Sequence, residues 1–189
     1  MGPNPPAESG GFGLSNLKMK FSTSYIFCSK KLIDPLEEVQ EIYSVINSVP
    51  WSPSKVTVIS KTGKEVYWQE AYNRLFEIEF DKVGGWTPNP VLCSKPMHKG
   101  DFMKNDVFIE VQFGNSSAIY RDYYKFNYGF VNKLLTLSVL IVPTNPIAFF
   151  PERNPRSIIN MASFEYSQEH LSVLTIPVPV LLIGLLPKN

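Results

Sequence analysis

Strand-like runs and helix-like segments alternate along most of the chain. The strand-like runs are short and rich in apolar residues, and they lie at 18–27, 55–60, 135–144 and 178–186. The helix-like segments carry apolar residues three and four positions apart, and they lie at 35–46, 68–81 and 121–135. This alternation predicts a single α/β domain, in which a mixed β-sheet is flanked by helices.

Polar stretches and prolines mark the predicted ends of these elements. Asp34 and Pro35 are typical of a helix N-cap and first helical residue, and Pro50 predicts the end of the same helix. The stretches 84–90 and 151–157 are rich in glycine, proline or polar residues, so we predict that both are loops.

The first 18 residues differ in composition from the rest of the chain. They are rich in proline, glycine, serine and asparagine and show no hydrophobic periodicity. This predicts a flexible N-terminal extension at 1–18. Residues 19–189 are then one domain, and the 44% hydrophobic content of the chain is enough to build its core.

The counts of cysteine, histidine and charge exclude several kinds of protein. Two cysteines and two histidines are too few for a disulfide framework or a structural zinc site. A formal net charge of +1 gives no global signal for nucleic-acid binding, although it does not address local patches. We see no signal peptide, and the longest apolar run is interrupted by prolines. We therefore expect a soluble cytoplasmic protein that does not span a membrane.

The segment "FIEVQF" at 108–113 places two polar side chains inside an apolar strand. Because successive side chains of a strand point to opposite faces, Glu110 and Gln112 share one face of this strand. The apolar residues on either side of them share the other face.

A two-residue turn at Asn105-Asp106 is predicted to join this strand to the segment before it. Counted from that turn, Asp101 lies opposite Glu110, and directly opposed side chains are about 4.5–5.5 Å apart at Cβ. Two such carboxylates repel each other unless a cation lies between them, and Mg²⁺ takes oxygen ligands of this kind. The alternative is a hairpin with two solvent-facing acids, and a longer turn would break the pairing.

The segment "DFMKNDVFIEVQFGNSS" resembles the active-site segment of the BglII/BstYI family of type II restriction endonucleases. That family has an aspartate, eight intervening residues and then Glu-x-Gln, which fall here on Asp101, Glu110 and Gln112. Other segments are similar to the family's first helix, its Ser/Thr-Lys-x-Gly segment with the helix beyond it, and its closing strand; they lie at 34–49, 60–86 and 177–187. The resemblance covers most of the chain from about residue 19.

The resemblance implies a restriction-endonuclease-like core and a homodimer that cleaves both strands of duplex DNA with Mg²⁺. Asp101, Glu110 and the backbone carbonyl of Val111 would hold the metal ion. Gln112 stands where most nucleases of this superfamily carry lysine, and its neutral amide would orient the attacking water. The expected site is a short palindrome, with a GATC core suggested, and the expected products carry 5′-phosphates.

The resemblance also implies roles for the residues that follow the strand. Asn115, Ser116 and Ser117 are predicted to contact DNA, because an asparagine amide can pair with adenine in the major groove. Asn115 is alternatively the N-cap of the next helix, with Ser116 as a second candidate for that cap.

The helix at 118–132 is predicted to form the dimer interface. Arg121 and Lys125 lie among its aromatic residues, a pattern that also occurs in proteins that bind single-stranded nucleic acid. A helix this apolar favours a role in the core and at a subunit interface instead.

The loop around "ERNPRS" and the following "SFEY" are comparable to the family's base-readout segment. The predicted DNA-contact residues here are Arg153, Asn154, Arg156, Ser163 and Glu165. Arginine suits guanine because it can bind O6 and N7 together, although both arginines are equally well explained as solvated loop residues. The "SFEY" sequence departs from the family's Ser-x-Tyr-Tyr-Glu-like pattern at Glu165, which affects the expected specificity more than the catalysis.

Charged residues that precede the hairpin are also candidates for phosphate or metal contacts. Lys61 and Lys64, in "SKTGKE", are predicted to contact phosphates. Glu77 and Glu79 either help to bind a second metal ion or, as we expect, belong to a solvated helix face.

Three functions are compatible with the sequence. The favoured one is a site-specific endodeoxyribonuclease. The alternatives are a non-specific or repair nuclease on the same fold, and a catalytically silent DNA-binding module. The opposed acids argue against the silent module, because without a metal ion they only repel each other.

Overall fold

The computed structural model describes residues 19–186. The predicted flexible extension at 1–18 lies outside the described residues, so it stays a prediction, as does the assignment of 19–189 to one domain. Within residues 19–186, no helix is both long enough and apolar enough to cross a bilayer.

A six-stranded mixed sheet forms the centre of the fold. Numbered along the chain, its strands lie in the spatial order β1 (Lys20–Ile26), β10 (Val180–Leu186), β9 (Leu137–Pro143), β8 (Val107–Val111), β7 (Phe102–Lys104) and β4 (Thr87–Pro88). The strands β10, β9 and β8 run parallel to one another, and the flanking strands pair antiparallel. Two small hairpins lie outside this sheet: β2 (Thr57–Ile59) with β3 (Glu65–Tyr67), and β5 (Val91–Ser94) with β6 (Met97–Lys99).

Helices cover both faces of the sheet, which confirms the predicted α/β class. In chain order they are α1 (Lys30–Ile33), α2 (Glu37–Ser48), α3 (Trp68–Val83), α4 (Ala118–Val131), α5 (Pro146–Phe149), α6 (Pro155–Ile158) and α7 (Phe164–Ser172). Along β9, Val139 and Ile141 join the core that contains α2 and α3, whereas Leu140 and Val142 join the core that contains α4 and α7. A strand buried on both faces is continuously apolar, which explains the sequence of β9.

The predicted start of the first long helix is wrong. Helix α2 begins at Glu37 and its N-cap is Leu36, not Asp34. The Asp34 carboxylate instead accepts hydrogen bonds from the hydroxyls of Tyr25 and Tyr43. Asp34 thus joins β1 to α2, and these tertiary contacts prevail over the local capping preference.

Two segments predicted to be loops contain short regular elements. The stretch 84–90 holds the edge strand β4, which tolerates Pro88 because an edge strand leaves one side unpaired. The stretch 151–157 leads into α6, whose cap is Asn154 and whose first residue is Pro155. Helix α7 was not predicted, because buried Ser167 obscures its apolar face.

Close packing at Gly100 positions the start of β7. A Cβ atom at this residue would lie 2.1 Å from the ring of Phe108, which is fully buried. Only glycine therefore allows the chain to pass this close to β8 and to place the next residue, Asp101, against that strand.

Candidate active site

The hairpin of β7 and β8 has the predicted register. Lys104 pairs with Val107 across the turn, and Phe102 pairs with Ile109 at the far end. Asn105 adopts a φ of 51°, a left-handed conformation that asparagine tolerates in tight turns. Asp101 directly precedes β7, and its backbone N–H donates to the carbonyl of Ile109 at 3.1 Å.

Glu110 on β8 and Gln112, the residue just after this strand, are buried beneath α4. Glu110 is 6% exposed and Gln112 is 9% exposed. The apolar residues beside them, Ile109, Val111 and Phe113, belong to the core on the opposite face, as the strand alternation predicted. Glu110 is therefore not a solvent-facing acid on an ordinary hairpin, and that alternative is wrong.

Asp101 lies against the exposed backbone edge of β8. Its Oδ2 atom accepts a hydrogen bond from the N–H of Val111 at 2.6 Å. Because the N–H and C=O of one strand residue point to the same side, the carbonyl of Val111 also faces Asp101. A cavity of about 30 Å³ lies beside these two residues and is also lined by Glu77. That volume holds a small cation or a water molecule, since a water needs only about 10–15 Å³ by this measure.

A buried ion pair joins Glu110 to helix α4. The Lys125 Nζ atom lies 2.6 Å from Glu110 Oε1 and 2.9 Å from Asp122 Oδ1. Lys125 is 5% exposed and Asp122 is 0% exposed. Asp122 also accepts a hydrogen bond from Nε2 of Gln112 at 2.7 Å. We call these four linked residues, Glu110, Lys125, Asp122 and Gln112, the buried polar chain.

Asp122 and Lys125 were not predicted to belong to the site. Lys125 was expected among the aromatic residues of the interface helix. The available signal was the acid–base pair at positions i and i+3 on the same helix face as buried Ile119 and Phe126. A charged pair on a buried helix face needs a polar partner on the neighbouring strand, and Glu110 is that partner.

The side chain of Gln112 is held at both ends of its amide. Its Oε1 atom accepts the N–H of Gly114 at 2.8 Å, while Nε2 donates to Asp122. A Cβ atom on Gly114 would lie 2.6 Å from this Oε1, so glycine is needed for the contact. These contacts fix which end of the amide points in each direction.

Burial raises the pKa values of both candidate metal ligands. Burial is the main cause of a pKa of Glu110 well above its ordinary value, and the neighbouring charges of Asp122 and Asp101 raise it further against the opposing effect of Lys125. Burial also raises the pKa of Asp101, while the Val111 N–H and Lys125 act in the opposite direction. Burial alone would lower the pKa of Lys125, but the carboxylates around it raise the value overall.

The oxygen atoms at this point suit a hard divalent cation. Asp101 and Val111, which line the cavity, offer a carboxylate and a backbone carbonyl, and Glu110 offers a second carboxylate from the neighbouring position on β8, although it does not line the cavity. Within residues 19–186, no group of three or more His, Cys, Asp or Glu side chains is arranged to hold a metal ion. Mg²⁺ commonly binds through only one or two carboxylates and keeps several waters, so this small donor set fits it better than zinc.

Comparison with known proteins assigns the family. Residues 24–185 match the family model described as "Restriction endonuclease BglII/BglIII". The chain belongs to this family. Its enzyme class is therefore that of a type II site-specific deoxyribonuclease. Type II restriction endonucleases of this fold generally use divalent metal ions.

A solved structure shares the fold. The crystal structure of restriction endonuclease BglII complexed with a DNA 16-mer superposes with a TM-score of 0.71 at 18% identity. The match covers 90% of this chain and 79% of the BglII chain. The restriction-endonuclease-like core expected from the sequence is thereby confirmed. No curated protein sequence matches the chain.

The segment after β8 lies beside the predicted readout segment. The backbone of Asn115 pairs with Met161, and the N–H of Ser116 donates to the carbonyl of Asn160 at 2.7 Å. Ser117 is assigned as the helix N-cap but makes no side-chain capping hydrogen bond, and Ser116 is not the cap. The capping contact considered for Asn115 is present. Asn115 is exposed, and its Oδ1 accepts the N–H of Ser117.

The predicted readout residues differ in how their side chains are used. Asn154 caps α6 by accepting the N–H of Arg156, and Ser163 caps α7. Arg156 and Glu165 are exposed. Arg153 is partly buried, with its guanidinium 5.9 Å from the centre of the Trp68 ring. Arg156 and Glu165 therefore keep more side-chain freedom than Arg153 and the two capping residues.

Glu77 faces the active site, contrary to the expected solvated helix face. Its carboxylate lies 2.9 Å from Arg74 and 3.3 Å from Lys61, and it lines the cavity beside Asp101. Glu79 pairs with Lys82 at 2.6 Å and is mostly buried. Lys61 is thus connected to the edge of the site, whereas Lys64 lies exposed in the turn between β2 and β3.

Proposed function

We propose that the protein cleaves double-stranded DNA at a short palindromic site by Mg²⁺-dependent hydrolysis and leaves 5′-phosphates. The observation that supports this most strongly is the hydrogen bond from the N–H of Val111 to Asp101, one residue beyond buried Glu110 on the same strand. Because its substrate is DNA inside the cell, we place the enzyme in the cytoplasm. The resemblance to the BglII/BstYI family suggests a GATC core in the recognition site.

Some residues of the site bind the metal ion, and Gln112 positions the attacking water. Asp101, Glu110 and the carbonyl of Val111 hold the metal ion. When bound, Mg²⁺ makes water easier to deprotonate and stabilises negative charge on the phosphate. Gln112 positions the attacking water, because Asp122 and Gly114 fix the orientation of its amide. A neutral amide can orient a water molecule but cannot serve as a charged base.

Residues around this site form the DNA-contacting surface in the proposal. Exposed or partly exposed polar side chains lie on the segment after β8, at α6 and the residues before it, at the start of α7, and on the turn between β2 and β3. They are Asn115, Ser116, Ser117, Arg153, Asn154, Arg156, Ser163, Glu165, Lys61 and Lys64. Arginine can form two hydrogen bonds with guanine, and asparagine can do so with adenine. The lysines can bind phosphate oxygens. Asn154 and Ser163 contribute mainly by capping the helices that carry this surface.

The substrate class can be tested with duplexes that differ only at the centre of the site. We expect cleavage of palindromes with a GATC core, and no cleavage when the core is scrambled at constant composition. DNA ligase should rejoin the products, because ligation requires a 5′-phosphate. Equal cleavage of both duplexes would contradict the GATC assignment, and products that cannot be ligated without prior phosphorylation would contradict the proposed chemistry.

We also propose that the enzyme is a homodimer formed through the helix at 118–132. Cleavage of both strands of a palindrome requires two active sites related by two-fold symmetry. Helix α4 and the residues after it expose large apolar side chains, namely Tyr120, Tyr124, Phe130, Val131 and Leu134. Exposed aromatic residues on one helix are typical of a protein interface.

Sedimentation equilibrium measures the molar mass of the protein in solution and therefore tests the predicted dimer. Val131→Asp should shift the protein towards monomer, because it places a charge at the centre of an apolar contact. Val173→Asp is the matched control, since Val173 is even more exposed and lies at the end of α7. A monomeric wild-type protein, or an equal response of the two variants, would contradict an interface at 118–132.

A further inference from the structure

The proposed strand-borne site lacks a positive charge of its own. The sequence of β8 supplies Glu110 and then the neutral Gln112, so the strand offers an acid and an amide but no base. Both ends of the Gln112 amide are already engaged, by Gly114 and by Asp122. A site that binds phosphodiesters and holds several carboxylates together needs a cation near them.

Helix α4 supplies a cation at this position. The Lys125 ammonium lies 2.6 Å from Glu110 Oε1, within direct hydrogen-bond distance. Both side chains are almost completely buried, so solvent does not screen the interaction. The pair is held by Asp122, one helical turn before Lys125, which lies 2.9 Å from the ammonium.

The buried polar chain therefore couples the helix to the strand. Glu110 contacts Lys125, Lys125 contacts Asp122, and Asp122 accepts the hydrogen bond from Gln112. Two of the three proposed catalytic side chains thus depend on the α4 residues for their orientation. Burial of charged groups this deep is costly unless they are paired, and the Lys125 ammonium lies within ion-pair distance of both carboxylates.

We propose that Lys125 is a positioning residue of the active site, which sets the orientation of the metal ligand Glu110 and supplies from α4 the positive charge that β8 lacks. The inference rests on the proposed function, because Glu110 is a metal ligand only if that function holds. A free Glu110 side chain would rotate away from the like charges of Asp101 and Asp122. Lys125 holds this carboxylate through Oε1, so that Oε2 would be available to a metal ion.

A charge-matched double variant separates positioning from simple charge balance. Lys125→Met alone leaves buried carboxylates without a cation, and we expect it to melt at a clearly lower temperature in EDTA. Lys125→Met with Asp122→Asn removes one positive and one negative charge together. It should recover most of the lost stability, since the asparagine can still accept the hydrogen bond from Gln112.

Mn²⁺ binding to the DNA-free protein, measured by electron paramagnetic resonance, gives the decisive comparison. We expect the double variant to bind Mn²⁺ about 10–100-fold more weakly than wild type, a range typical for the loss of a residue that orients a metal ligand. Its single-turnover cleavage rate should fall by at least the same factor. Lys31→Met, an exposed lysine-to-methionine change on α1, should match wild type in every assay.

The outcomes distinguish this inference from the proposed function. A stable double variant that binds Mn²⁺ within about twofold of wild type would overturn the role of Lys125 and leave only charge balance. A wild-type protein that binds Mn²⁺ but cuts no DNA would overturn the proposed function. The ratio of the Mn²⁺ affinities of wild type and the double variant would still decide the role of Lys125. A wild-type protein that binds no Mn²⁺ would contradict both.

Discussion

Asp101→Asn is expected to reduce DNA cleavage by about 10³-fold or more, equivalent to ~4 kcal/mol of transition-state stabilisation. Asparagine has nearly the same shape, and its oxygen can still accept the hydrogen bond from the N–H of Val111. It lacks the negative charge that attracts the metal ion. Single-turnover cleavage at saturating enzyme measures the effect, and DNA binding in EDTA should stay close to that of wild type.

The same variant should be more stable than wild type when no metal is present. Burial raises the pKa of Asp101 in the folded protein above its unfolded value. A raised folded pKa means that stability is greatest below the unfolded value and is lost as the pH rises through the folded one. Wild type therefore carries a penalty at pH 8 that Asp101→Asn avoids. Thermal melts in EDTA should show an advantage for the variant at pH 8 that shrinks towards pH 4.

Asp106→Asn is the control for both effects, because it lies in the turn of the same hairpin and makes the same chemical change. It should cleave DNA at the wild-type rate. Retention of cleavage by Asp101→Asn, or an equal loss in Asp106→Asn, would contradict the assignment of Asp101 as a metal ligand. A variant less stable than wild type at pH 8 would contradict the account of its burial.

Phe149→Ala is expected to have the largest effect on stability, with a loss of about 3–5 kcal/mol. The Phe149 ring is fully buried, and its centre lies 4.8 Å from that of Phe150, 5.0 Å from that of Tyr72 and 5.7 Å from that of Phe113. Truncation leaves a cavity that the three remaining rings cannot easily fill. The melting temperature should fall by about 6–20 °C, since each kcal/mol shifts it by roughly 2–4 °C in a protein of this size.

The control for this prediction is Leu32→Ala, because Leu32 is one of the most exposed apolar residues and should tolerate truncation. Phe113 directly follows Gln112, so the aromatic cluster also supports the end of the catalytic strand. Cleavage by Phe149→Ala should therefore survive at low temperature and disappear when the variant unfolds. A melting temperature within 2–3 °C of wild type would correspond to a loss of at most about 1 kcal/mol in the free energy of unfolding. That result would contradict the importance of this cluster.

Local patterns in the sequence predicted the part of the site that lies on one hairpin. The two-residue turn at Asn105-Asp106 fixes the register, and the alternation in β8 then determines that Glu110 and Gln112 share a face. Strands β9 and β10 were equally clear, because a long run that is almost entirely apolar is typical of a strand buried on both faces; Ser138 is the one polar side chain in these two strands.

Contacts between distant elements could not be predicted in the same way. Asp122 and Lys125 are ordinary charged residues in sequence, and their role depends on α4 lying over Glu110. Asp34 shows the same limit, because two tyrosine hydroxyls on other elements displaced it from its expected capping position. In both cases a local preference competes with partners that only the folded chain brings together.

The most direct test of the central claim is digestion of plasmid DNA of known sequence by the purified protein, in Mg²⁺ and in EDTA, beside the Glu110→Ala variant. The account predicts discrete fragments with Mg²⁺, intact DNA in EDTA and intact DNA with the variant, although the variant should still bind DNA. Sequencing of the fragment ends would then give the recognition site. A smear would indicate a non-specific nuclease. Intact DNA in every lane, or fragments that persist with the variant, would contradict a metal-dependent catalytic site built on Asp101 and Glu110.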